Sequence, residues 1–295
     1  MATYILTYNN RPITTVPGEY HFISKTPTDW EPVTWNGLTS FNGNNVWTDG
    51  INTYYSEGSN QYVLDVSTHT WSPKTWNGLT SFYGQYIWYN MYSGRRIYSQ
   101  GTTAQKYLTT STSTWDDITW TGLDSGSKAQ LYGTDIWLRK TSSGTVTYFS
   151  YKTSSNAGNF KLASSTSWNQ NGVSSTALSG YRFWYPVNWN SSSDAKTYYS
   201  NGTEQKYSSS SRLLADMSWG NPYPSSGYKV WSTNRHTYYS DGSTQLVLSD
   251  DQTSWSNKSW TGLGSGTTID GLYVWTDRSS YYYSYGTTQL RLVIP

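Results

Sequence analysis

The sequence predicts an all-β fold, a six-bladed β-propeller with four antiparallel strands in each blade, closed by strands from both termini. Three observations predict it. One degenerate repeat covers nearly the whole chain of 295 residues. Each copy holds four short runs rich in Tyr, Trp, Val, Ile and Thr, separated by Gly, Asn, Asp and Ser, the pattern of strands joined by tight turns. The first part of the chain matches the second half of a repeat whose first half ends it.

An apolar residue followed by Trp recurs six times, at Val46-Trp47, Ile87-Trp88, Ile136-Trp137, Phe183-Trp184, Val230-Trp231 and Val274-Trp275. This run is strand a. Strand b follows as a Tyr-aromatic-Ser or Ile-Tyr-Ser element centred on Tyr55, Tyr98, Phe149, Tyr199, Tyr239 and Tyr283. Five copies then carry Gly two residues after the Ser (Gly58, Gly101, Gly202, Gly242, Gly286), and a Gln that opens strand c (Gln61, Gln105, Gln205, Gln245, Gln289). The third copy lacks both. Strand d lies between Thr70-Trp71 and Trp76 in the clearest copy.

Four-stranded units of about 40–50 residues build propellers, whose radial closure protects the sheet edges. No segment keeps a 3.6-residue apolar period, so no helix is expected and helical solenoids are excluded. No copy ends its third strand with Trp-Asp, which excludes a WD-type propeller.

The ends of the chain predict how the ring shuts. Tyr20 to Ser24 and Thr28 to Trp35 align without gaps on Gln61 to Asp65 and His69 to Trp76. The chain thus starts with c- and d-like strands. It finishes, after Val274-Trp275, with a, b and a further c-like strand from Gln289 to Val293. One c-like strand is surplus, either a fifth strand or a segment docked elsewhere. The expected organisation is an N-terminal arm or clip over residues 1–19 and a single propeller over 20–295.

Aromatics make up 18% of the chain, with 29 Tyr and 17 Trp, so they must supply much of the core. Each buried ring removes about 150–250 Å² from water, a gross stabilisation of roughly 4–6 kcal/mol. The net charge of +2 predicts no general attraction to nucleic acid or to acidic membranes. No apolar run nears the ~20 residues that span a bilayer. The N-terminus lacks the basic and long apolar regions of a signal peptide, so synthesis in the cytoplasm without a leader is expected.

Tyr62-Val63-Leu64-Asp65 followed by Thr68-His69-Thr70-Trp71 resembles the third and fourth strands of a kelch repeat. The resemblance implies that this Tyr and Trp pack between neighbouring blades. The chain departs from the kelch pattern in carrying one Gly after strand b where two are usual.

Catalytic constellations are hard to find. The three histidines, His21, His69 and His236, fall at non-equivalent repeat positions, which argues against a three-His metal site. Asp116-Asp117 and Asp250-Asp251 read as turn formers between strands c and d. Sialidases resemble this chain in blade number, but their Ser-x-Asp-x-Gly-x-Thr-Trp box is absent, and Ser240 to Thr244 at a b–c turn is only superficially like it. Galactose oxidase resembles it as a kelch-type propeller, but needs a Cys-linked Tyr at copper, and this chain has no Cys. No catalytic residue, metal or cofactor is expected.

Binding is expected at the two faces of the disc. Strand order puts a–b and c–d turns on one face, and b–c and d–a connections on the other. The a–b loops carry Arg95, Arg96, Arg139, Lys140, Lys196, Arg235 and Arg278, with Asp49, Asp194 and Asp277 among them. A ring of guanidinium groups suits an acidic ligand; the plainer reading is solubilising charge. The d–a connections carry Trp35, Trp76, Trp120 and Trp260 in Trp-x-Gly-Leu elements, read as packing. They also carry Phe41, Tyr83, Tyr132, Tyr181, Tyr223 and Tyr228. The candidate ligand-binding residues are therefore Tyr83, Tyr132, Tyr181 and Tyr228 on one face, and Arg95, Arg96, Arg139, Arg235 and Arg278 on the other.

The composition, rich in Ser, Thr, Asn, Gly, Tyr and Trp and free of Cys, resembles that of bacteriophage virion proteins of the fibre, decoration or receptor-binding kind. That resemblance implies a non-enzymatic structural or binding module in an extracellular particle. Such a module would serve in assembly or in attachment to a host surface glycan or protein. Its expected partners are other virion proteins or symmetric copies of itself and a host surface glycan, with no nucleic acid and no membrane insertion. The alternative is a polysaccharide-acting lyase or glycoside hydrolase with its site in the d–a loops.

Overall fold

Side chains alternate along a strand, so in Val46-Trp47-Thr48 the Trp faces one neighbouring blade and Val46 the other. That alternation makes each strand a a wedge between two blades. The computed structural model describes residues 7–8, 11–12, 29–141, 144–153, 157–171, 178–186, 196–209 and 214–293. It forms six antiparallel sheets in a ring, a six-bladed β-propeller.

Blade 1 runs Val46–Thr48, Thr53–Gly58, Asn60–Asp65 and Thr70–Pro73 as strands a to d. Blade 2 runs Ile87–Asn90, Arg95–Gln100, Ala104–Thr109 and Thr114–Asp117. Blade 3 runs Ile136–Thr141, Gly144–Lys152, Ala157–Leu162 and Trp168–Gln170. Blade 4 runs Phe183–Trp184, Thr197–Ser200, Gln205–Ser208 and Ala215–Asp216. Blade 5 runs Val230–Ser232, Thr237–Ser240, Gln245–Leu248 and Trp255–Asn257.

Blade 6 takes Val274–Thr276, Tyr281–Tyr285 and Thr288–Leu292 from the C-terminal part, and its strand d, Trp30–Pro32, from the N-terminal part. Leu290 pairs with Pro32 and Leu292 with Trp30. The C-terminal c-like strand therefore completes the last blade. The c-like run Tyr20 to Ser24 lies outside the described residues, as does the expected arm over 1–19, except that Thr7–Tyr8 pairs with Arg11–Pro12. A fifth strand does occur, but in blade 1, where Phe82–Tyr83 pairs with strand b.

Aromatic triads hold the blades together. Trp47 of strand a packs 5.6 Å from Trp76 of the connection, which packs 6.0 Å from Trp115 of the next strand d. Trp88, Trp120 and Trp168 repeat this, as do Trp184, Trp219 and Trp255. The arrangement recurs in Trp231, Trp260 and Trp30, and in Trp275, Trp35 and Trp71, which confirms the packing role read for the connection Trp residues. The junction of blades 3 and 4 differs: Trp137 stacks flat on Phe183 at 3.8 Å, and strand d of blade 4 contributes no Trp.

Polar residues of the repeat bond within it. All six strand-a indoles donate to the strand-b serine, from Trp47 to Ser56 at 2.8 Å through Trp275 to Ser284 at 2.8 Å. Gln105 Nε2 donates to the carbonyls of Gly101 (2.8 Å) and Leu131 (3.1 Å), and its Oε1 accepts from Trp120 Nε1 at 3.0 Å. Gln245 repeats this set with Gly242, Ile269 and Trp260. The strand-c Gln thus ties its b–c turn to the connection leading into the next blade.

Three expectations are corrected. A short α-helix, Ser125–Ala129, precedes blade 3, started by Asp124, whose side chain accepts from the Ser127 N–H at 2.6 Å. At five residues it is too short to show an apolar period. Asp116 and Asp117 lie within strand d of blade 2, not in a turn; Lys106 on the neighbouring strand pairs with Asp117 at 2.8 Å. Arg95, Arg96 and Arg139 belong to strands rather than loops, because the a–b hairpins of blades 2 and 3 are tighter than their polar sequences suggest.

Candidate functional site

A single 3-10 turn precedes strand a in every blade: Gly43–Asn45, Gly84–Tyr86, Gly133–Asp135, Gly180–Arg182, Gly227–Lys229 and Gly271–Tyr273. Each turn touches the next and the last touches the first, so together they make a collar round the axis on the d–a face. Backbone contact demands the glycines. A Cβ on Gly133 would sit 1.9 Å from the Tyr86 carbonyl oxygen, and one on Gly180 1.8 Å from that of Asp135. The same relation, glycine against the last carbonyl of the preceding turn, holds at all six.

With the collar fixed by backbone, its side chains are free to differ. Tyr83 and Tyr132 precede the glycine, Tyr181 and Tyr228 follow it, and Tyr86 and Tyr273 end the turn. These rings gather into two arcs. Tyr86 lies 6.3 Å from Tyr83 and 5.7 Å from Tyr132. Tyr181 meets Tyr228 edge-on at 5.6 Å, and Tyr273 lies 4.6 Å from Tyr285, which ends strand b of blade 6. Tyr83, Tyr181, Tyr228 and Tyr285 are 39%, 37%, 36% and 53% exposed, so each offers surface to a ligand. Amides sit among them, with Asn44 donating to Gln85 Oε1 at 3.1 Å.

Charged side chains on this face are bonded to protein neighbours: Glu57 accepts from the Tyr55 hydroxyl and Asn45 Nδ2, Glu204 from Asn201 Nδ2 at 2.8 Å, and Asp241 from the Tyr239 hydroxyl at 2.9 Å. Lys229 Nζ bonds Asp270 Oδ2 at 2.7 Å. Arg182 lies over the Tyr181 ring at 5.0 Å, and its guanidinium donates to the Tyr181 hydroxyl and to Ser226 Oγ, both at 3.2 Å. Asp135 lies deeper, and no ion pair reaches it among the described residues. Burial pushes its carboxyl up to about 7, against a smaller opposite effect of the Tyr181 N–H that bonds it. Asp135 stands between the arcs, next to Tyr86 on one side and Tyr181 on the other.

The predicted tyrosines are thus brought together, Tyr83 and Tyr132 through Tyr86, and Tyr181 directly with Tyr228. Sequence reasoning missed Tyr86, Tyr273, Tyr285, Asp135, Arg182, Lys229 and the six glycines. The glycines had a signal. Each stands three residues before the apolar member of the apolar-Trp pair.

The opposite face does not gather its arginines into a ring. Arg95 stacks on Tyr107 of its own blade at 4.5 Å, and Arg96 on Tyr89 at 4.7 Å. Arg139 donates to the Ser209 carbonyl at 2.6 Å. Arg235 and Arg278 are exposed in separate a–b turns. Arg278 acts electrostatically on Arg96. Asp49 and Asp277 are occupied inside their turns, Asp49 Oδ1 accepting from the backbone of Ile51 and Asn52 at 2.7 Å each, and Asp277 Oδ1 from that of Ser279 and Ser280. No group of three or more His, Cys, Asp or Glu able to hold a metal occurs among the described residues.

Fold and collar define a six-bladed propeller with a tyrosine-lined axial mouth on its d–a face. No protein-family model matches the sequence, and no curated protein matches it. Similar solved structures share the chain's outline at very low identity. Virginiamycin B lyase from Staphylococcus aureus matches with a TM-score of 0.49 at 7% identity, over 90% of this chain and 100% of that one. PorZ, a surface component of the type-IX secretion system of Porphyromonas gingivalis, matches with 0.49 at 10% identity, over 84% of this chain and 38% of its own. The extracellular domain of a hybrid two-component system from B. thetaiotaomicron matches with 0.48 at 8% identity, over 83% of this chain; the chain spans 33% of that domain's length.

Proposed function

We propose that this propeller is a non-enzymatic binding module that presents its d–a face to a neutral glycan, as a component of a bacteriophage particle. The observation that carries the glycan reading is the pair of tyrosine arcs on the glycine collar. Sugar rings offer apolar C–H faces rimmed by hydroxyls. Tyrosines held edge-to-face at 5.6–6.3 Å, with Asn44, Gln85 and Ser226 beside them, offer matching ring faces and hydrogen-bond partners. The engagement of this face's charges by protein neighbours favours a neutral sugar over an anionic one. Most glycoside hydrolases use two carboxyls at a defined separation, and no second carboxylate is among the groups acting on Asp135.

The virion setting is supported by the Cys-free composition rich in Ser, Thr, Asn, Gly, Tyr and Trp. In that setting the propeller would recur in symmetric copies, docked to other virion proteins and displaying its d–a face toward the host surface.

A glycan array tests the binding reading. Wild-type protein is expected to retain a defined set of neutral glycans, and a variant with Ala at Tyr83, Tyr132, Tyr181 and Tyr228 to lose them. Unchanged retention by the variant would exclude these aromatics as the platform. A purified chain that is monomeric and degrades a polysaccharide would overturn the non-enzymatic, particle-borne reading.

A further inference from the structure

The second mouth of the axis, on the a–b face, has a different chemistry. Two cavities run toward it along the axis from the collar, one starting at Gly133 and the other at Asn44, Gly84 and Gln85, with Ile87, Trp88 and Tyr89 as a common wall. One, of about 410 Å³, lies against the junction of blades 3 and 4, where Trp137 and Phe183 replace the aromatic triad found elsewhere. Its wall is mostly apolar, with Ile136, Leu138, Phe183 and Trp184 inside and Met91 and Tyr185 near its opening. Met91 and Tyr185 are 43% and 47% exposed. A volume of this size falls in the range of roughly 300–1,000 Å³ typical of small-ligand sites.

The other cavity, of about 390 Å³, is lined by a partly buried cation that makes no ion pair among the described residues. Arg96 stands in its wall, stacked on Tyr89 at 4.7 Å. The Arg96 Nε–H is shielded from solvent and meets no acceptor among the described residues. Asp49, the described carboxylate whose charge acts on Arg96, makes no ion pair with it; Asp49 Oδ1 takes two backbone N–H groups at 2.7 Å each, and its Oδ2 takes the Tyr54 hydroxyl at 2.9 Å. Arg278 of blade 6 adds a second positive charge to the field at Arg96. A buried guanidinium N–H without an acceptor costs free energy that a carboxylate oxygen would recover.

We infer that the a–b mouth binds an amphipathic carboxylate, with its anionic head on Arg96 and its apolar tail in the cavity between blades 2 and 4. Arg96 and the tail cavity meet at Tyr89, so a single ligand bridges them without bending through the protein. Arg95 gives the contrast. Strand alternation puts it on the opposite side of the sheet, against Tyr107, away from either cavity. The cavities reach the collar at Asn44, Gly84, Gln85 and Gly133 but include none of its tyrosines, so Arg96 and Leu138 variants leave Tyr83, Tyr132, Tyr181 and Tyr228 in place.

Isothermal titration calorimetry tests it with two pairs of probes, decanoate against decanamide, and the peptide acetyl-Gly-Leu-Phe with a free carboxylate against its C-terminal amide. At least one carboxylate is expected to bind ten-fold or more tightly than its amide, and the pair that does so tells a fatty acid from a peptide end. Arg96→Gln is expected to abolish that preference, and Arg95→Gln to keep it. Leu138→Trp, which fills the tail cavity, is expected to weaken the binding carboxylate at least ten-fold while Arg96 remains. It also serves as the test if Arg96→Gln does not fold, as judged by its thermal melt. Equal binding of carboxylate and amide, a preference that survives Arg96→Gln, indifference to Leu138→Trp in a folded protein, or no binding at millimolar probe would each overturn the inference.

Discussion

The indole Nε1 of Trp47 donates to Ser56 Oγ at 2.8 Å, and both atoms are buried. Trp47 belongs to strand a and Ser56 to strand b, so the bond pins the innermost hairpin of the blade while the Trp ring fills the junction to blade 2. Ser56→Ala leaves the indole N–H buried without an acceptor and is expected to cost about 1–3 kcal/mol. Trp47→Phe on that background is expected to reveal a coupling of roughly 1 kcal/mol in a double-mutant cycle. Additive effects in urea denaturation would show that the bond contributes nothing.

The collar predicts a steep dependence on single methyl groups. A Cβ on Gly133 meets the Tyr86 backbone at 1.9 Å, and backbone held by neighbours on both sides cannot move aside cheaply. Gly133→Ala is expected to lose about 3 kcal/mol or more. Gly220, with no atom within 4 Å of the added Cβ, is the control, expected to change by less than about 0.5 kcal/mol. Equal melting temperatures for the two variants would contradict the collar.

Asp135 predicts a pH dependence of stability. Its carboxyl is raised from 3.8 to about 7 in the fold, chiefly by burial, with Tyr86 the titratable neighbour that senses it. Between these values the unfolded chain has released the proton and the folded chain still holds it, so stability falls as pH rises from about 4 to about 7 and then levels. Asp135→Asn removes this slope, and its advantage over wild type is expected to grow across the window, to on the order of 2–4 kcal/mol by pH 8. Chemical denaturation at pH 4.5 and pH 8 measures it. Parallel profiles for the two proteins would place the Asp135 carboxyl in an ordinary solvated state.

Ring closure depends on packing more than on charge. Trp30 is fully buried among Trp231, Trp260 and Tyr283, and its backbone N–H donates to the Thr261 carbonyl at 3.0 Å. Trp30→Ala is expected to cost about 3–5 kcal/mol. Glu31, paired with Arg291 on the same two strands, is 41% exposed, and Glu31→Gln is expected to cost under about 1 kcal/mol. Calorimetric melting of both variants checks the order; a larger loss from Glu31→Gln would reverse the account.

Legibility in the sequence followed repetition. The Trp47–Ser56 relation is written six times, at separations of 9 to 16 residues, so blade number, strand order and closure could all be read before any coordinates. Tyr20 to Ser24 and Gln289 to Val293 both looked like strand c, and only the pairing of Leu292 with Trp30 decided between them. The candidate site is less legible because function here sits where copies differ. Asn45, Tyr86, Asp135, Arg182, Lys229 and Tyr273 share one structural position but no common chemistry, so no pattern marks them. Arg95 and Arg96 are adjacent in sequence, yet the pleat sends one to Tyr107 and the other to the axis. Burial of Asp135 depends on three blades meeting, which no local window contains.

Tyrosine labelling under glycan protection tests the central claim most directly. A tyrosine-selective reagent is applied to the protein with and without a glycan that it retains on the array, and modified residues are read by mass spectrometry. The account predicts that the glycan shields Tyr83, Tyr181 and Tyr228 on the collar and leaves the a–b face residues Tyr89, Tyr92 and Tyr185 reactive. Protection of Tyr89, Tyr92 and Tyr185 with an unshielded collar would contradict it.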